Sequence, residues 1–337
     1  MALALSEKVV HFWYKKSILA YVLLPLSWIF QGIATLRRFV YRYFAKPLPV
    51  PVIIVGNLTV GGTGKSPVVA WLVQYLLNQG WQPGVLMRGY KGKLHTHAVK
   101  AVVANSDPNI VGDEAVVLAN NINVPIVVGK SRRQAAQYLL QRYPQVNILI
   151  SDDGLQHYRL ARDIEIVVVD GIRQFGNGLC LPAGPLRESM HRLSSVDFVI
   201  TNGGKGAIML QLQLSAMVMA VNSPETRPLN DFVGKTVHAV AGIGHPQRFF
   251  AMLTALGIHI KEHPFSDHHR FTENDLKFND DYPILMTQKD AVKCTDIRIK
   301  AYYVKLETHL PPEFGQQLLE KLARGQKITG HSRLPHL

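Results

Sequence analysis

The feature that most constrains the fold of this chain is a glycine-rich loop set between an apolar strand and an amphipathic helix. The strand is predicted for residues 52–55, which are β-branched and of the kind found in buried parallel strands. The loop at 61–64 is followed by Lys65 and Ser66. Pro67 then opens a helix in which apolar residues recur at helical spacing. This order of strand, loop and helix is typical of a phosphate-binding loop.

The loop carries the groups that nucleotide phosphates require. Backbone N–H groups of the glycines and of the helix N-terminus attract phosphate oxygens, Lys65 reaches the β- and γ-phosphates, and Ser66 places its hydroxyl on Mg²⁺. The usual spacing requires a glycine where this chain has Thr59, and the variant with two adjacent glycines is present instead. The predicted nucleotide-binding residues of this segment are Thr59, Gly61, Gly62, Thr63, Gly64, Lys65 and Ser66.

Strand-like and helix-like segments alternate after the loop. Apolar runs at 99–104, 124–128 and 164–169 are separated by segments with helical periodicity or turn residues. This alternation predicts an α/β fold of the P-loop NTPase kind, with a mostly parallel sheet and helices on both faces. A polar segment with two prolines at 222–232 predicts a linker to a second, smaller α/β domain. The predicted domains are 1–45, 46–222 and 223–337.

The N-terminal segment is more hydrophobic than an α/β core requires. Residues 17–36 include no charged side chain and are long enough for a membrane span, which takes about 20 residues. Pro25 and Gly32 interrupt this stretch, and basic residues flank both of its ends, so the flanks give no inside–outside asymmetry. We expect a membrane-associated helix that lies in the interface on anionic headgroups. A transmembrane span and a buried core helix are the alternatives.

The charge balance of the chain is strongly basic. Its 37 basic and 24 acidic residues give a net charge of +13, which indicates an anionic partner. A phospholipid surface and a phosphorylated substrate both satisfy this requirement, whereas nucleic acid would leave the hydrophobic N-terminal segment unexplained. Cys180 and Cys294 lie far apart, which fits a reducing compartment and argues against a zinc or disulfide framework.

Acidic residues at predicted strand and helix ends are the candidates for metal binding and proton transfer. Asp152 follows a buried strand predicted at 147–151, where a carboxylate holds Mg²⁺ directly or through water, and Asp153 is the alternative ligand. Asp113 precedes a predicted helix. It is either an N-cap or a base or orienting group for a substrate hydroxyl.

Further candidates for phosphate contacts are arginines, one of which is followed by a glutamate that is a candidate for the metal. Arg187 and Glu188 end a proline-rich loop, where the guanidinium would contact phosphates and the carboxylate would assist the metal. Arg132 and Arg133 are either phosphate ligands or the exposed face of a helix. Residues 287–290 contain the side chains of a guanine-reading motif in the wrong register, so no role is assigned to them from sequence.

Together these segments resemble the tetraacyldisaccharide 4'-kinase family of the lipid A pathway. The matching segments run in order over most of the chain, and the hydrophobic N-terminal helix is also as in that family. They are residues 56–67, 88–90, 112–114, 152–157, 181–188, 267–269 and 287–290.

The resemblance implies ATP-dependent phosphorylation of the 4'-hydroxyl of an acylated glucosamine disaccharide 1-phosphate, at the cytoplasmic face of the inner membrane and with no obligate protein partner. It implies that Asp113 works with His268, for which the adjacent His269 is the alternative. The residues expected to act in catalysis are Asp113, His268, Lys65 and Asp153. Those expected to bind ATP outside the loop are Arg133 and Arg187. Those expected to bind Mg²⁺ are Ser66, Asp152 and Glu188, and His157 would line the same site.

Two other classes of P-loop protein are the rivals. A membrane-bound regulatory ATPase that positions partner proteins shares the double-glycine loop, but carries a signature lysine where this chain has Val60. A metal-delivering GTPase with a related loop requires a Cys/His metal site, which two distant cysteines do not supply.

Overall fold

The computed structural model describes residues 12–14, 17–89, 92, 98–297 and 299–329. Tyr90, part of one matching segment, and the two lysines at 15–16 lie outside the described residues. The strands are β1 (Val52–Gly56), β2 (Pro83–Met87), β3 (Val99–Val102), β4 (Ile126–Gly129), β5 (Ile148–Asp152), β6 (Ile164–Asp170), β7 (Phe198–Asn202), β8 (Ile208–Ala220), β9 (Thr226–Pro228), β10 (Thr236–Ala241), β11 (His259–Pro264), β12 (Ile284–Thr287) and β13 (Ala301–His309).

The helices alternate with the strands over most of the described chain. The α-helices are α1 (Ile18–Val22), α2 (Leu24–Tyr43), α3 (Lys65–Asn78), α4 (Pro108–Val111), α5 (Asp113–Asn121), α6 (Arg132–Arg142), α7 (Pro246–Ala255), α8 (Gln288–Ala291) and α9 (Pro312–Thr329). Short 3-10 helices lie at Met190–Ser195, Leu229–Phe232 and Asn274–Leu276.

The strands of the described residues form one mixed sheet. Its order is β11-β10-β12-β13-β8-β7-β6-β1-β5-β2-β4-β3, and β9 pairs with β8 beside this path. Most neighbours are parallel; β3 with β4, β8 with β13 and β8 with β9 are antiparallel. We call β1–β7 with their helices the first half, and β10–β13 with theirs the second half. The predicted mostly parallel α/β sheet is confirmed.

Strand β8 belongs to both halves. Ile208–Leu210 pairs in parallel with the end of β7, and the rest of β8 pairs antiparallel with β13. The segment predicted as a linker at 222–232 contains β9 and a 3-10 helix whose Leu229 and Phe232 are buried. The segment predicted as a linker therefore contains regular structure, and the domain boundary at 222/223 stays a prediction.

The cores lie on both faces of each half. Since successive strand residues point to opposite faces, Ile53 and Val55 of β1 pack under α3 while Val52 and Ile54 face α6. Helix α9 follows the second half in sequence but returns to the core under α3. Phe314 of α9 lies 5.5 Å from the Trp71 ring of α3 and 5.2 Å from the Phe198 ring, between ring centroids.

The N-terminal helices are attached by a few polar contacts. Pro25 in the first turn of α2 marks the break from α1, because proline lacks an N–H and its ring clashes with the preceding turn. The buried Ser27 hydroxyl donates to the carbonyl of Cys180 at 2.7 Å, and the Trp13 indole donates to the carbonyl of Pro182 at 3.0 Å. Large apolar side chains remain exposed, namely Ile18, Tyr21, Val22, Trp28, Ile29, Ile33, Leu36, Phe39, Tyr43 and Phe44.

A membrane span is one of the alternatives predicted for the N-terminal segment. Among the residues that the structure describes, no helix combines the length and the apolar character that crossing a membrane takes.

Candidate active site

The glycine loop is fixed by side chains from the neighbouring strands. Gly61 and Gly64 have φ of 103° and 91°, in the left-handed region that favours glycine. The side-chain amide of Asn202, at the end of β7, donates to the carbonyl of Thr63 at 3.0 Å. The guanidinium of Arg173 donates to the carbonyl of Gly62 at 2.6 Å. The loop is therefore shaped by the carboxyl ends of β6 and β7, where ligands bind in such sheets.

The start of the loop pairs with the proline-rich segment 181–188. Thr59 forms an antiparallel bridge with Leu186, and the N–H of Arg187 donates to the carbonyl of Leu58 at 2.7 Å. The carbonyl of Thr59 accepts from the Asn57 side chain at 2.9 Å. Thr59 therefore positions the loop through its backbone, and the same pairing brings Arg187 beside the loop.

Three charged residues predicted to act together do meet. Lys65 Nζ lies 3.4 Å from Oδ1 of Asp153, and Arg187 lies 3.3 Å from the same oxygen. Burial acts to raise the pKa of Asp153, but Lys65 and Arg187 outweigh it and lower the pKa to about 2. Asp153 is thus an ionised carboxylate between two cations. We call Lys65, Asp153 and Arg187 the charged cluster.

Asp152 lies deeper, at the end of β5. Burial raises the pKa of its carboxyl to about 7, opposed by Lys65 and reinforced by Glu114 and Asp153. Its backbone is held by Arg132, which is itself buried and donates to the carbonyls of Asp152 at 3.0 Å and Gly129 at 2.8 Å. A nearby cation would favour the ionised form of this carboxyl.

Asp113 and His268 are in direct contact across the two halves. Oδ2 of Asp113 lies 2.7 Å from Nδ1 of His268, and Oδ1 of Asp113 accepts from the backbone N–H of Glu114 at 2.8 Å. His269 instead faces Asp275, with 3.3 Å between Nε2 and Oδ2. His268, and not its neighbour, is therefore the partner of Asp113.

The Asp113/His268 pair and the charged cluster are connected electrostatically through the buried Asp152. Glu114, next to Asp113, contributes to the raised pKa of Asp152, which in turn feels Lys65 of the charged cluster. Burial acts to raise the pKa of Asp113. The hydrogen bond from His268 and the charge of Lys289 outweigh that effect, so the pKa is lowered. Lys65 after the glycine loop and Glu114 beside the Asp113/His268 pair therefore act on the same buried carboxyl, that of Asp152.

Two predicted site residues have other surroundings. The Glu188 carboxylate accepts from Gln156 at 2.9 Å and from the hydroxyl of Tyr158, and Arg192 lies 3.6 Å away. Arg133 lines a groove of about 550 Å³ with Tyr41 of α2 and with Arg159, not the glycine loop. Within the described ranges, no three His, Cys, Asp or Glu side chains gather as a metal site.

His157, expected to line the site, lies close to two cations. Burial, together with the charges of Arg132 and Arg88, lowers the pKa of His157 to about 3. The imidazole is therefore neutral at physiological pH, and its backbone carbonyl accepts from Arg162 at 2.7 Å.

Several residues that hold the glycine loop or the loop of His268 were not predicted to do so. Asn202 and Asp170 end strands, and this position was the signal that could have identified them. Arg173 lies three residues after Asp170, and Lys289 lies in the matching segment 287–290. Their contacts with Gly62 and Glu114 were not predictable, because these join residues far apart in sequence.

The family relationships agree with this geometry. A sequence model described as "Tetraacyldisaccharide-1-P 4'-kinase" matches residues 19–323. The chain belongs to this family. It is 48% identical over 321 residues to the tetraacyldisaccharide 4'-kinase of Methylobacillus flagellatus, covering 93% of this chain and 95% of that protein. It is 46% identical over 330 residues to that of Nitrosococcus oceani, covering 96% of each.

A solved structure is similar as well. The crystal structure of the "apo" form of LpxK from Aquifex aeolicus in complex with ATP matches with a TM-score of 0.76 and 26% identity, over 90% of this chain and 100% of that one. The family resemblance stated from the sequence is thereby confirmed. As a member of the tetraacyldisaccharide-1-phosphate 4'-kinase family, the chain is a phosphotransferase.

Proposed function

We propose that this chain transfers the γ-phosphate of ATP to the 4'-hydroxyl of a tetraacyldisaccharide 1-phosphate, a lipid A precursor, at the cytoplasmic face of the inner membrane. The observation that carries the proposal is the contact of Asp113 with His268 beside the charged cluster, in a chain of this kinase family. A hydroxyl acceptor needs a proton-accepting group beside the nucleotide loop, and this pair supplies one.

The proposal places ATP on the glycine loop and the first turn of α3. The N-cap of α3 is Gly64, which has no side chain to satisfy the N–H groups of that turn. Those N–H groups and the positive end of the helix dipole therefore suit phosphate oxygens. Lys65 and Arg187 add two cations beside the loop. When the phosphates bind, these cations would either leave Asp153 or bridge between Asp153 and the phosphates.

The side chains at the loop fit Mg²⁺ as a cofactor. Ser66 lies in the first turn of α3. Asp152 offers a carboxylate, and a divalent cation beside it would lower its raised pKa. Hard oxygen donors of this kind are the ligands that Mg²⁺ prefers. We assign Ser66 and Asp152 to the metal and leave out Glu188, because its oxygens already accept from Gln156 and Tyr158. When bound, Mg²⁺ would neutralise charge that develops on the transferred phosphate.

The Asp113/His268 pair takes the proton of the acceptor hydroxyl. The Asp113 carboxylate is oriented by the N–H of Glu114, and its lowered pKa keeps it ionised at neutral pH. It therefore holds the His268 imidazole at a fixed orientation, so that the pair as a whole accepts the proton while the sugar oxygen attacks phosphorus. Asp113→Ala should cut turnover far more than ATP affinity. His269→Ala, whose imidazole faces Asp275, is the matched control for His268→Ala.

The N-terminal helices provide the membrane contact in this proposal. Their exposed apolar side chains include Trp28 at 66% and Phe39 at 74% exposure, and Arg37 and Arg42 lie on the same helix. An acylated substrate is costly to extract, since each buried methylene is worth about 0.8 kcal/mol. A protein held at the interface would therefore reach the sugar headgroup without extraction. The groove with Arg133 suits an anionic headgroup beside α2.

The test is phosphate transfer from ATP to the acylated disaccharide 1-phosphate in detergent micelles, with the purified chain alone. Lys65→Ala and a lipid-free reaction run beside it. Lipid-dependent transfer that the variant loses is the expected result. ATP hydrolysis without phosphorylated lipid would instead favour a membrane-bound regulatory ATPase and would contradict the proposal.

A further inference from the structure

The segment 287–290, left without a role from sequence, joins the second half to helix α5 of the first. The side-chain amides of Gln288 and Asn121 form a reciprocal pair, with hydrogen bonds of 2.9 and 2.8 Å. Lys289 Nζ lies 3.2 Å from Oε1 of Glu114. These contacts lie at opposite ends of α5, because Glu114 is in its first turn and Asn121 is its last residue.

Lys289 also contacts the loop that carries His268. Its Nζ lies 3.2 Å from Oδ1 of Asp267, and Oδ2 of Asp267 lies 3.6 Å from Nε2 of His268. Glu114 follows Asp113 in the chain, and Asp267 precedes His268. One ammonium group therefore bridges the two segments that supply the proton-accepting pair.

The loop around His268 requires such support. His268 has φ of 64°, a left-handed conformation that side chains other than glycine rarely adopt unless the surrounding structure holds them there. Its N–H donates to the carbonyl of Gly242 at 3.2 Å, and the N–H of Gly242 donates to Oδ2 of Asp290 at 2.9 Å. The backbone of this loop is thus anchored by Asp290. The charged side chains around His268 are held by Lys289.

The surroundings of Lys289 favour its charged form. Burial lowers the pKa of Lys289, but Glu114, Asp113 and Asp267 together outweigh it and raise the pKa above its ordinary value. The same ammonium contributes to the lowered pKa of Asp113. Lys289 therefore stays protonated and links the charge of Asp113 to the position of the second half.

We propose that Lys289 is a positioning residue for phosphoryl transfer, which holds Glu114 and Asp267 and through them keeps Asp113 and His268 at reacting geometry. It acts from the second half, so the proton-accepting pair is complete when the two halves are in contact. This inference rests on the roles of Asp113 and His268 under Proposed function.

The experiment compares Lys289→Met, Lys289→Arg and Gln288→Ala in the full chain. Methionine keeps the unbranched apolar stem and removes the charge. We expect kcat of Lys289→Met to fall on the order of ten- to a hundredfold, as for a small misplacement of reacting groups. KM for ATP should stay within about twofold, since the glycine loop is untouched. The acidic limb of the kcat–pH profile should move to higher pH, because Asp113 loses a cation that favours its ionised form.

The other two variants distinguish the effect of the Lys289 charge from the effect of the contact between the two halves. Lys289→Arg keeps the cation. It should therefore have much of the wild-type kcat, and the acidic limb of its kcat–pH profile should lie at the wild-type position. Gln288→Ala removes the hydrogen-bonded pair with Asn121 that joins the halves, but it removes no charge. The acidic limb of its kcat–pH profile should therefore stay in place.

Asp113→Ala distinguishes the failure of this inference from that of the proposed function. An inactive Asp113→Ala together with an unchanged kcat and pH profile in Lys289→Met overturns the positioning role alone. The same holds if Lys289→Met loses activity only in proportion to lost thermal stability, with the acidic limb unmoved. A fully active Asp113→Ala overturns the role of the pair itself.

Discussion

At the scale of single residues, Gly64 and Gly62 of the same loop differ in what a new methyl group would meet. At Gly64 a Cβ would collide with the side-chain amide of Asn202, and φ of 91° is strained for alanine. At Gly62 nothing lies within 4 Å of the new atom. Gly64→Ala should destabilise the fold by about 1–2 kcal/mol from the backbone conformation alone. Gly62→Ala should stay within about 0.5 kcal/mol.

Denaturant unfolding of both variants without nucleotide tests this difference. Equal stability of Gly64→Ala and Gly62→Ala would show that neither the left-handed backbone nor the contact with Asn202 constrains position 64.

A second residue-scale prediction concerns pH and His157. The folded pKa of His157 is about 3 because of burial and two nearby arginines, whereas an unfolded histidine titrates near its ordinary 6.5. The unfolded state therefore binds the extra proton as pH falls below 6.5, and stability falls with it. We expect wild type to lose up to about 1.4 kcal/mol per pH unit in this window relative to His157→Gln. Parallel stability curves for the two proteins between pH 6.5 and 4 would contradict it.

Sequence patterns could identify the site residues whose neighbours are close in the chain. Lys65 and Ser66 follow the glycines, and Asp152 ends a strand, so local order was enough to place them. Glu188 and Arg133 were harder, because Glu188 accepts from Tyr158 and Arg133 shares a groove with Tyr41, both distant in sequence. Contacts of that kind depend on tertiary packing, which no local pattern records.

At the scale of elements, two glycines of α9 give a matched pair. A Cβ at Gly315 would collide with the ring of Tyr75, which is stacked on Trp71 with centroids 4.8 Å apart. At Gly325 a Cβ meets nothing within 4 Å. Gly315→Ala should destabilise by about 1 kcal/mol, since the overpacked ring must leave its stack. Gly325→Ala should stabilise by up to about 1 kcal/mol through helix propensity. Thermal unfolding of both variants is the measurement, and a stabilised Gly315→Ala would show that the ring moves without cost.

Sequence patterns predicted strands in the first half correctly, but they located the end residues of those strands less accurately. Buried apolar runs marked β1, β5 and β6 to within a residue. Strand β8 and helix α9 were missed. In β8 many side chains are half-exposed, so the apolar run is diluted by Gln211, Gln213 and Ser215. For α9, the face that packs on the first half had no partner that local sequence could reveal.

At the scale of the whole molecule, Arg248 ties the second half to the glycine loop. It lies 3.0 Å from Oδ1 of Asp170, whose other oxygen is 3.1 Å from Arg173. Arg248→Met should loosen the second half on the first, so amide exchange at 242–245 should quicken by up to about fivefold, as expected for the loss of one partly buried ion pair. Gln247→Ala is the control, because that amide donates to Glu262 within the second half. Equal exchange in both variants would show that Asp170 does not couple the halves.

The return of α9 to the first half sets an order of events during synthesis. Phe314, Leu318 and Leu322 close the core beside α3, yet the ribosome makes them after the entire second half. At ~5–20 residues per second, the nascent chain carries an open apolar face for on the order of ten seconds. A chaperone that binds such faces has that interval to act. Codons that slow translation of the second half should therefore lower the yield of soluble protein without changing a single amino acid.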